Sequence, residues 1–298
     1  VLAGSLDTRQ RLIVAMPWVF VLIWSTGFIV ARLAMPHASP MTFLCWRYAF
    51  SVVCFFVWVK AAGLRFPNTL SACGHLAVTG VLMHAGYLGG VWAAVHFGMG
   101  AGLSALVVGL QPVLTGIWLS YAGDRVSGRQ WLGLALGLLG LLMVVANKLT
   151  HVGEVSPLTL ALVTVGLLSI TVGTLYQKRY VKPCDVRTAS TVQLMAAFLV
   201  TIPFAWLEDS PLVWVPDLVI AMTWSVLALT LGASSLLYLL IQRGAAAAVS
   251  SLMYLVPPCT ALVAWFLFDE ALTFMTVLGM AVTVTGVALV RPKAVKAT

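Results

Sequence analysis

The residue best placed to do chemistry in this sequence is His84. It stands within an apolar run from Ser71 to Phe97, where an imidazole must find a hydrogen-bond partner to offset its desolvation. Tyr87 follows three residues later on the same helical face, with Val91 a turn further on and Gly80 before it. Such a pair can donate to a solute's carboxylate or form part of a gate; the plainer alternative is a packed histidine bonded to a neighbouring helix. Gly86, Gly89 and Gly90 would let this stretch bend, or let a ligand approach its backbone. Ser250, Ser251 and Tyr254 precede Pro257-Pro258, and Gln111-Pro112 is their earlier counterpart. Proline removes a backbone donor and frees a carbonyl, so both places are read as exposing polar groups to a cavity, although serine can equally bond back to its own helix. Trp24, Trp92, Tyr238 and Tyr254 are interior aromatics that together would wall an amphipathic cavity. Arg47 sits about a turn and a half inside its run. It either snorkels to the interface or serves a gate or outer vestibule.

Absences narrow the chemistry further. No Asp or Glu lies near the middle of any apolar run, so a carboxylate proton relay has no candidate and a cation has no fixed partner. His37, His75, His96 and His151 are scattered among loops and run ends. The five cysteines form no C-x-x-C pair, and no nucleophile stands with a base. We therefore expect no catalytic residue, no metal site and no cofactor. A membrane enzyme acting on lipid-linked substrates is the rival class, and it would need such a constellation.

The elements that must position these residues are set by composition. Of 298 residues, 61% are hydrophobic and 9% charged, against ~45–50% and ~25% in soluble domains. So few charges cannot solvate a globule of this size, which excludes a soluble enzyme, a disulfide scaffold and a disordered chain. Lipid must be the solvent. The net charge of +8 is dispersed between apolar runs and forms no nucleic-acid patch. Ten runs approach the ~20 apolar residues a spanning helix needs: Leu12 to Leu33, Thr42 to Ala62, Ser71 to Phe97, Gly102 to Ala122, Trp131 to Ala146, Leu158 to Tyr176, Ala189 to Leu207, Leu218 to Ile241, Val249 to Phe268 and Met275 to Val290. The first is read as a span and not as a cleaved signal peptide. With both termini cytoplasmic, every Lys and Arg falls in a cytoplasmic loop except Arg32, Arg47 and Lys148, while Glu154, Glu208, Asp209, Asp217, Asp269 and Glu270 face outward. That asymmetry obeys the positive-inside rule.

The chain also resembles itself. A shift of 146 residues carries Gly27 onto Gly173, Arg32 onto Lys178, Gly86 onto Gly232, Gly98 onto Gly244, Pro112 onto Pro258, Asp124 onto Glu270, Gly133 onto Gly279 and Gly140 onto Gly286. Trp92 meets Tyr238 and keeps an aromatic. Residues 1–147 and 148–298 thus read as two five-helix repeats. Because five is odd, the second copy enters from the opposite side, the architecture of secondary carriers. Gly133, Gly137 and Gly140, with Gly279, Thr283 and Gly286, are assigned to close packing of the fifth and tenth helices.

Trp24-Ser25-Thr26-Gly27-Phe28 with Arg32, the pair Arg47-Tyr48, and the prolines of Gln111-Pro112 and Pro257-Pro258 followed by Asp124 and Glu270 resemble the EamA-type repeats of the drug/metabolite transporter superfamily. The likeness is greatest to its exporters of aromatic amino acids. Ser25 departs from the pattern, standing where many members carry Gly. The resemblance implies an all-α polytopic membrane protein of ten transmembrane helices around a central cavity, in a bacterial inner membrane. It implies export of small neutral or zwitterionic metabolites, amino acids including aromatic ones, by alternating access. Helices one, three, four, six, eight and nine are expected to line the site. Small-molecule substrate and membrane lipids are the expected partners, with no nucleic acid, and the chain is expected to be monomeric. Nucleotide-sugar and cationic-drug carriers of the same fold are the alternatives; the first calls for basic groups in the cavity, the second for a buried carboxylate.

Overall fold

The computed structural model describes residues 8–121, 127–149, 155–209, 212–242 and 256–289. Among them every regular element is helical: α1 (Thr8–Ala34), α2 (Pro40–Ala61), α3 (Leu70–Gly80), a π-helical stretch π1 (Val81–Gly86), α4 (Tyr87–His96), α5 (Ala101–Val108), α6 (Gln111–Tyr121), α7 (Gly128–Leu149), α8 (Pro157–Tyr180), α9 (Val186–Trp206), α10 (Pro216–Trp224), a second π-helical stretch π2 (Ser225–Ser234), α11 (Ser235–Gln242), α12 (Val256–Phe268) and α13 (Phe274–Leu289). Six helical stretches are long and apolar enough to cross a membrane, and four shorter apolar helices accompany them. Side chains such as Leu22, Trp206 and Phe266 stand exposed on the outside of the bundle, as lipid-facing groups do. Helix is what lipid permits, because it satisfies the backbone internally. Residues 249–255 of the ninth apolar run lie outside the described residues.

Glycine decides the closest approaches. α7 packs along α13 through Gly133, Gly137 and Gly140 on one side and Gly279, Thr283 and Gly286 on the other. A methyl at Gly279 would lie 2.7 Å from the Gly140 carbonyl, so only hydrogen fits there. Gly90 of α4 meets α8 in the same way, 2.5 Å from the Leu162 carbonyl on the same measure. Gly86 faces Ser169 and Gly89 faces Met41, so these three glycines serve helix packing. Ser25 keeps its place tight: it is buried, and its carbonyl accepts from Thr260 Oγ1 of α12 at 3.0 Å.

The helices pack on partners distant in sequence. α1 packs on α10, π2 and α12, while α8 packs on α3, π1, α4, α5 and α6; α2 packs on α9. One face of the bundle is tied by carboxylates that cap distant helices. Glu208 accepts from Met41 N at 2.9 Å and Thr42 N at 2.8 Å, and Glu270 accepts from Ala101 N at 2.7 Å. Each negative charge satisfies orphan donors where a helix dipole is positive. Asp269 precedes the second clamp with φ +52°, a left-handed turn that aspartate tolerates. Val213 N also donates to His37 O at 3.0 Å on this face.

Candidate functional site

The two π-helical stretches position the site. An extra residue per turn rotates the following face of a helix and leaves backbone groups differently paired, which is why such bulges recur at functional places. π1 carries His84, and π2 carries Thr230, whose hydroxyl donates to Ser225 O five residues back at 2.8 Å. Both line one central cavity, together with Trp24, Gly27 and Phe28 of α1, Arg47 of α2, Tyr87, Leu88, Val91 and Trp92 of α4, Gln177 of α8, Ser190 and Gln193 of α9, and Ser234, Leu237 and Tyr238. Among the described lining residues there is no carboxylate.

Aromatic contacts give the cavity rigid walls. Trp24 and Tyr87 stack with centroids 6.3 Å apart and planes 2° apart, and Phe43 backs Trp92 at 4.6 Å. Tyr48 meets His84 edge-on at 6.2 Å. Tyr238 is buried and its hydroxyl lies 3.1 Å from Cys184 Sγ, fixing α11 to the loop before α9.

The sequence left Arg47 between snorkelling and a gate or outer vestibule, and the structure sets the first aside. The side chain is 4% exposed and does not snorkel. Its Nε donates to Thr230 Oγ1 at 3.1 Å, and its guanidinium lies 5.8 Å from the Trp92 ring centroid, a cation–π arrangement. Helix α2 presents this side chain inward to π2, where a hydroxyl and an aromatic face hold it. Gln111 departs from expectation: its amide donates to Thr174 Oγ1 at 3.1 Å across the α6–α8 contact and it does not line the cavity. The chain breaks at Gly109 and Leu110, between α5 and α6, and Pro112 merely restarts the helix. Ser250, Ser251 and Tyr254 lie outside the described residues. Of the expected lining helices, the fourth and ninth contribute none of the described wall, whereas the second and seventh do.

Gln193, Thr230, Gln177, Ser190 and Ser234 are lining residues that the sequence reading passed over. A signal was available. The 146-residue shift carries Arg47 onto Gln193, His84 onto Thr230, Leu88 onto Ser234 and Trp92 onto Tyr238, and every one of these lines the cavity. The same shift superposes π1 on the middle of π2. Asking where Arg47 and His84 land under the repeat would have named Gln193 and Thr230; Gln177, Ser190 and Ser234 fall opposite the apolar Ala31, Leu44 and Leu88 and carried no such signal. Among the described residues no cluster of three metal-ligating side chains occurs.

A family model, the EamA-like transporter family, matches residues 13–146 and again residues 157–291. The chain belongs to that family. It is a multi-pass membrane transporter and not an enzyme. Its relatives include an uncharacterized inner membrane transporter, YedA, of Escherichia coli K12, 25% identical over 90% of this chain and 87% of the relative. A probable amino-acid metabolite efflux pump of the same organism is 24% identical over 89% of this chain and 90% of its own length. An uncharacterized transporter of Archaeoglobus fulgidus is 23% identical over 97% and 99%. A crystal structure sharing the fold superposes with a TM-score of 0.68 over 92% of this chain and 95% of its own, at 16% identity.

Proposed function

We propose that this transporter exports small neutral or zwitterionic metabolites, amino acids with aromatic or large apolar side chains among them, across a bacterial inner membrane. The observation that carries this reading is the cavity wall: the five aromatic side chains of Trp24, Phe28, Tyr87, Trp92 and Tyr238, a handful of neutral polar groups, the one cation Arg47 and no described acid. Stacking surfaces of this kind bind flat or bulky apolar side chains. The name of the relative at 24% identity, a probable amino-acid metabolite efflux pump, supports the same solute class, and that of the relative at 25% the same membrane.

Alternating access is the mechanism the arrangement supports. Ten spans in two inverted halves, 1–147 and 148–298, would rock about a cavity to which both contribute paired residues, exposing it to one side and then the other. Arg47 is the specific observation that favours a second reading, a nucleotide-sugar carrier; a single cation suits one carboxylate better than a diphosphate. A cationic drug finds no acidic partner in the described wall, and the fixed charge of Arg47 opposes it.

Counterflow in proteoliposomes tests the reading. Labelled aromatic and branched amino acids are expected to exchange, and a quaternary amine and a nucleotide sugar are not. Exchange of the nucleotide sugar alone would overturn the assignment. Cysteines placed beside Arg125 and Arg187 are expected to react only from the cytoplasm, with both termini on that side; labelling from outside would overturn the inverted arrangement.

A further inference from the structure

Arginine cannot shed its proton in a protein. A buried guanidinium without a counter-ion therefore carries an uncompensated desolvation cost. Arg47 is in this position: among the described residues it has no carboxylate partner, and only its Nε has a hydrogen-bond acceptor. Arg47 borders the cavity, and its two terminal nitrogens form the planar fork that can hold a carboxylate through two parallel bonds. A second, independent observation comes from α9. Gln193 is 6% exposed and lines the same cavity, and its Nε2 has no hydrogen-bond partner among the described residues. A buried amide donor left unpaired is costly and points to a ligand acceptor.

We infer that Arg47 is the anchor for a solute carboxylate, with Gln193 as an additional donor, so that the carboxylate is required for binding and a solute ammonium is dispensable. This rests on the amino-acid reading above and sharpens it: the substrate class is the monocarboxylate bearing a bulky apolar group, amino acids and their deaminated analogues alike. The physical reason is one-sided charge. The cavity supplies a fixed cation for the acid end, and its described wall supplies no anion for the amine. Trp24, Tyr87 and Trp92 hold the apolar group in either case.

Three probes that differ only in their head group decide the matter: L-phenylalanine, 3-phenylpropanoate and 2-phenylethylamine. Binding to the purified full chain is read by quenching of intrinsic tryptophan fluorescence, and exchange is read by counterflow of labelled phenylalanine. Phenylalanine and phenylpropanoate are expected to bind with dissociation constants within several-fold of each other, and phenylethylamine to bind at least tenfold more weakly. Arg47→Gln is expected to weaken both carboxylates on the order of 10- to 100-fold, the size of a charge-assisted pair, and to leave the amine unchanged. Arg47→Lys should keep the preference for carboxylates with reduced affinity, because a point charge replaces the fork. Equal binding of the amine and the two acids, or carboxylate affinity untouched by Arg47→Gln, would overturn the anchor. Phenylpropanoate failing where phenylalanine binds would overturn the dispensable ammonium. Should Arg47→Gln fail to fold, the three probes on the unaltered protein still discriminate. Carboxylate binding that depends on Arg47 without any amino-acid counterflow would sink the transport assignment and leave the anchor standing.

Discussion

Gly80 and Gly74 lie six residues apart on α3, yet the same substitution should move stability in opposite directions. Gly80 is buried against α9 where that helix presents Gln193 to the cavity. A methyl built on Gly80 overlaps the Gln193 carbonyl oxygen and lies 2.5 Å from its Cα and 2.6 Å from its carbonyl carbon, whereas ordinary contact begins at 3.4 Å. The obstacle is backbone and cannot swing aside, so α3 and α9 must part by roughly 1 Å, an overpacking that costs about 1–3 kcal/mol. Gly74 is exposed and a methyl there meets nothing within 4 Å. There Gly→Ala should gain up to about 1 kcal/mol of helix propensity. Thermal unfolding in detergent, followed by tryptophan fluorescence, compares the two variants with the parent. Gly80→Ala should melt earlier and bind phenylalanine more weakly, since Gln193 moves with its backbone; Gly74→Ala should melt no earlier and bind as the parent does. A Gly80→Ala protein with unchanged melting and affinity would refute the close α3–α9 contact on which the site's position depends.

His84→Ala or Tyr87→Ala should lower transport efficiency by at least tenfold in proteoliposomes while leaving insertion intact, the size of one lost charge-assisted hydrogen bond; unchanged flux would remove both from the site. Glu270→Ala should destabilise by about 1–2 kcal/mol, because it strips acceptors from Ala101 N and Gly102 N, with Glu270→Gln intermediate; equal melting of all three proteins would refute the clamp. The Arg187 side chain, bonded to Asp185 at 2.8–2.9 Å, holds that carboxyl below its ordinary value, with the Arg187 backbone amide adding to it. A depressed folded value means that the stabilisation is full above about pH 4 and fades as the pH falls through the lower folded value. Asp185→Asn should abolish that acid-side loss in a melting series from pH 7 to pH 3, and an unchanged pH profile would count against it.

What could be read from the sequence follows from which forces act locally. The helical runs are legible because lipid leaves a chain few other ways to pair its backbone, and the glycine stripes of α7 and α13 because a missing side chain marks where backbones touch. His84, Tyr87, Trp24, Trp92 and Tyr238 are found in the cavity wall because a polar or aromatic group interrupts an aliphatic run visibly. Arg47 was left between two readings for a definite reason. Depth along its own helix permits snorkelling, but what holds it inward is Thr230, 183 residues away, and the face of Trp92. Gln111 shows the converse error, since a polar residue beside a proline looks free until a hydroxyl on another helix takes its amide. The π-helical stretches have no evident composition signal, and yet they aim His84 and Thr230.

On the proposed reading of two inverted halves, the scaffold offers two equivalent half-sites while the proposed amino-acid solute has unequal ends, and divergence of the halves would reconcile the two. The shift that keeps an aromatic at Trp92 and Tyr238 replaces the charge of Arg47 with the neutral amide of Gln193, and the ring of His84 with the hydroxyl of Thr230. Two arginines would set two buried cations across one cavity with no acid between them, and none would leave a carboxylate to be desolvated without compensation. One cation is the stable solution for one carboxylate, and near-symmetry leaves open which half supplies it. Exchanging the pair therefore tests the whole account. Gln193→Arg alone should destabilise the protein by like-charge repulsion, and Arg47→Gln alone should lose carboxylate binding. Arg47→Gln with Gln193→Arg should recover much of that binding, because the proposed repeat makes position 193 the counterpart of position 47 and both line the same cavity. A double variant no better than Arg47→Gln would show that the positions are not interchangeable, and the two-fold relation between the half-sites would have to be abandoned.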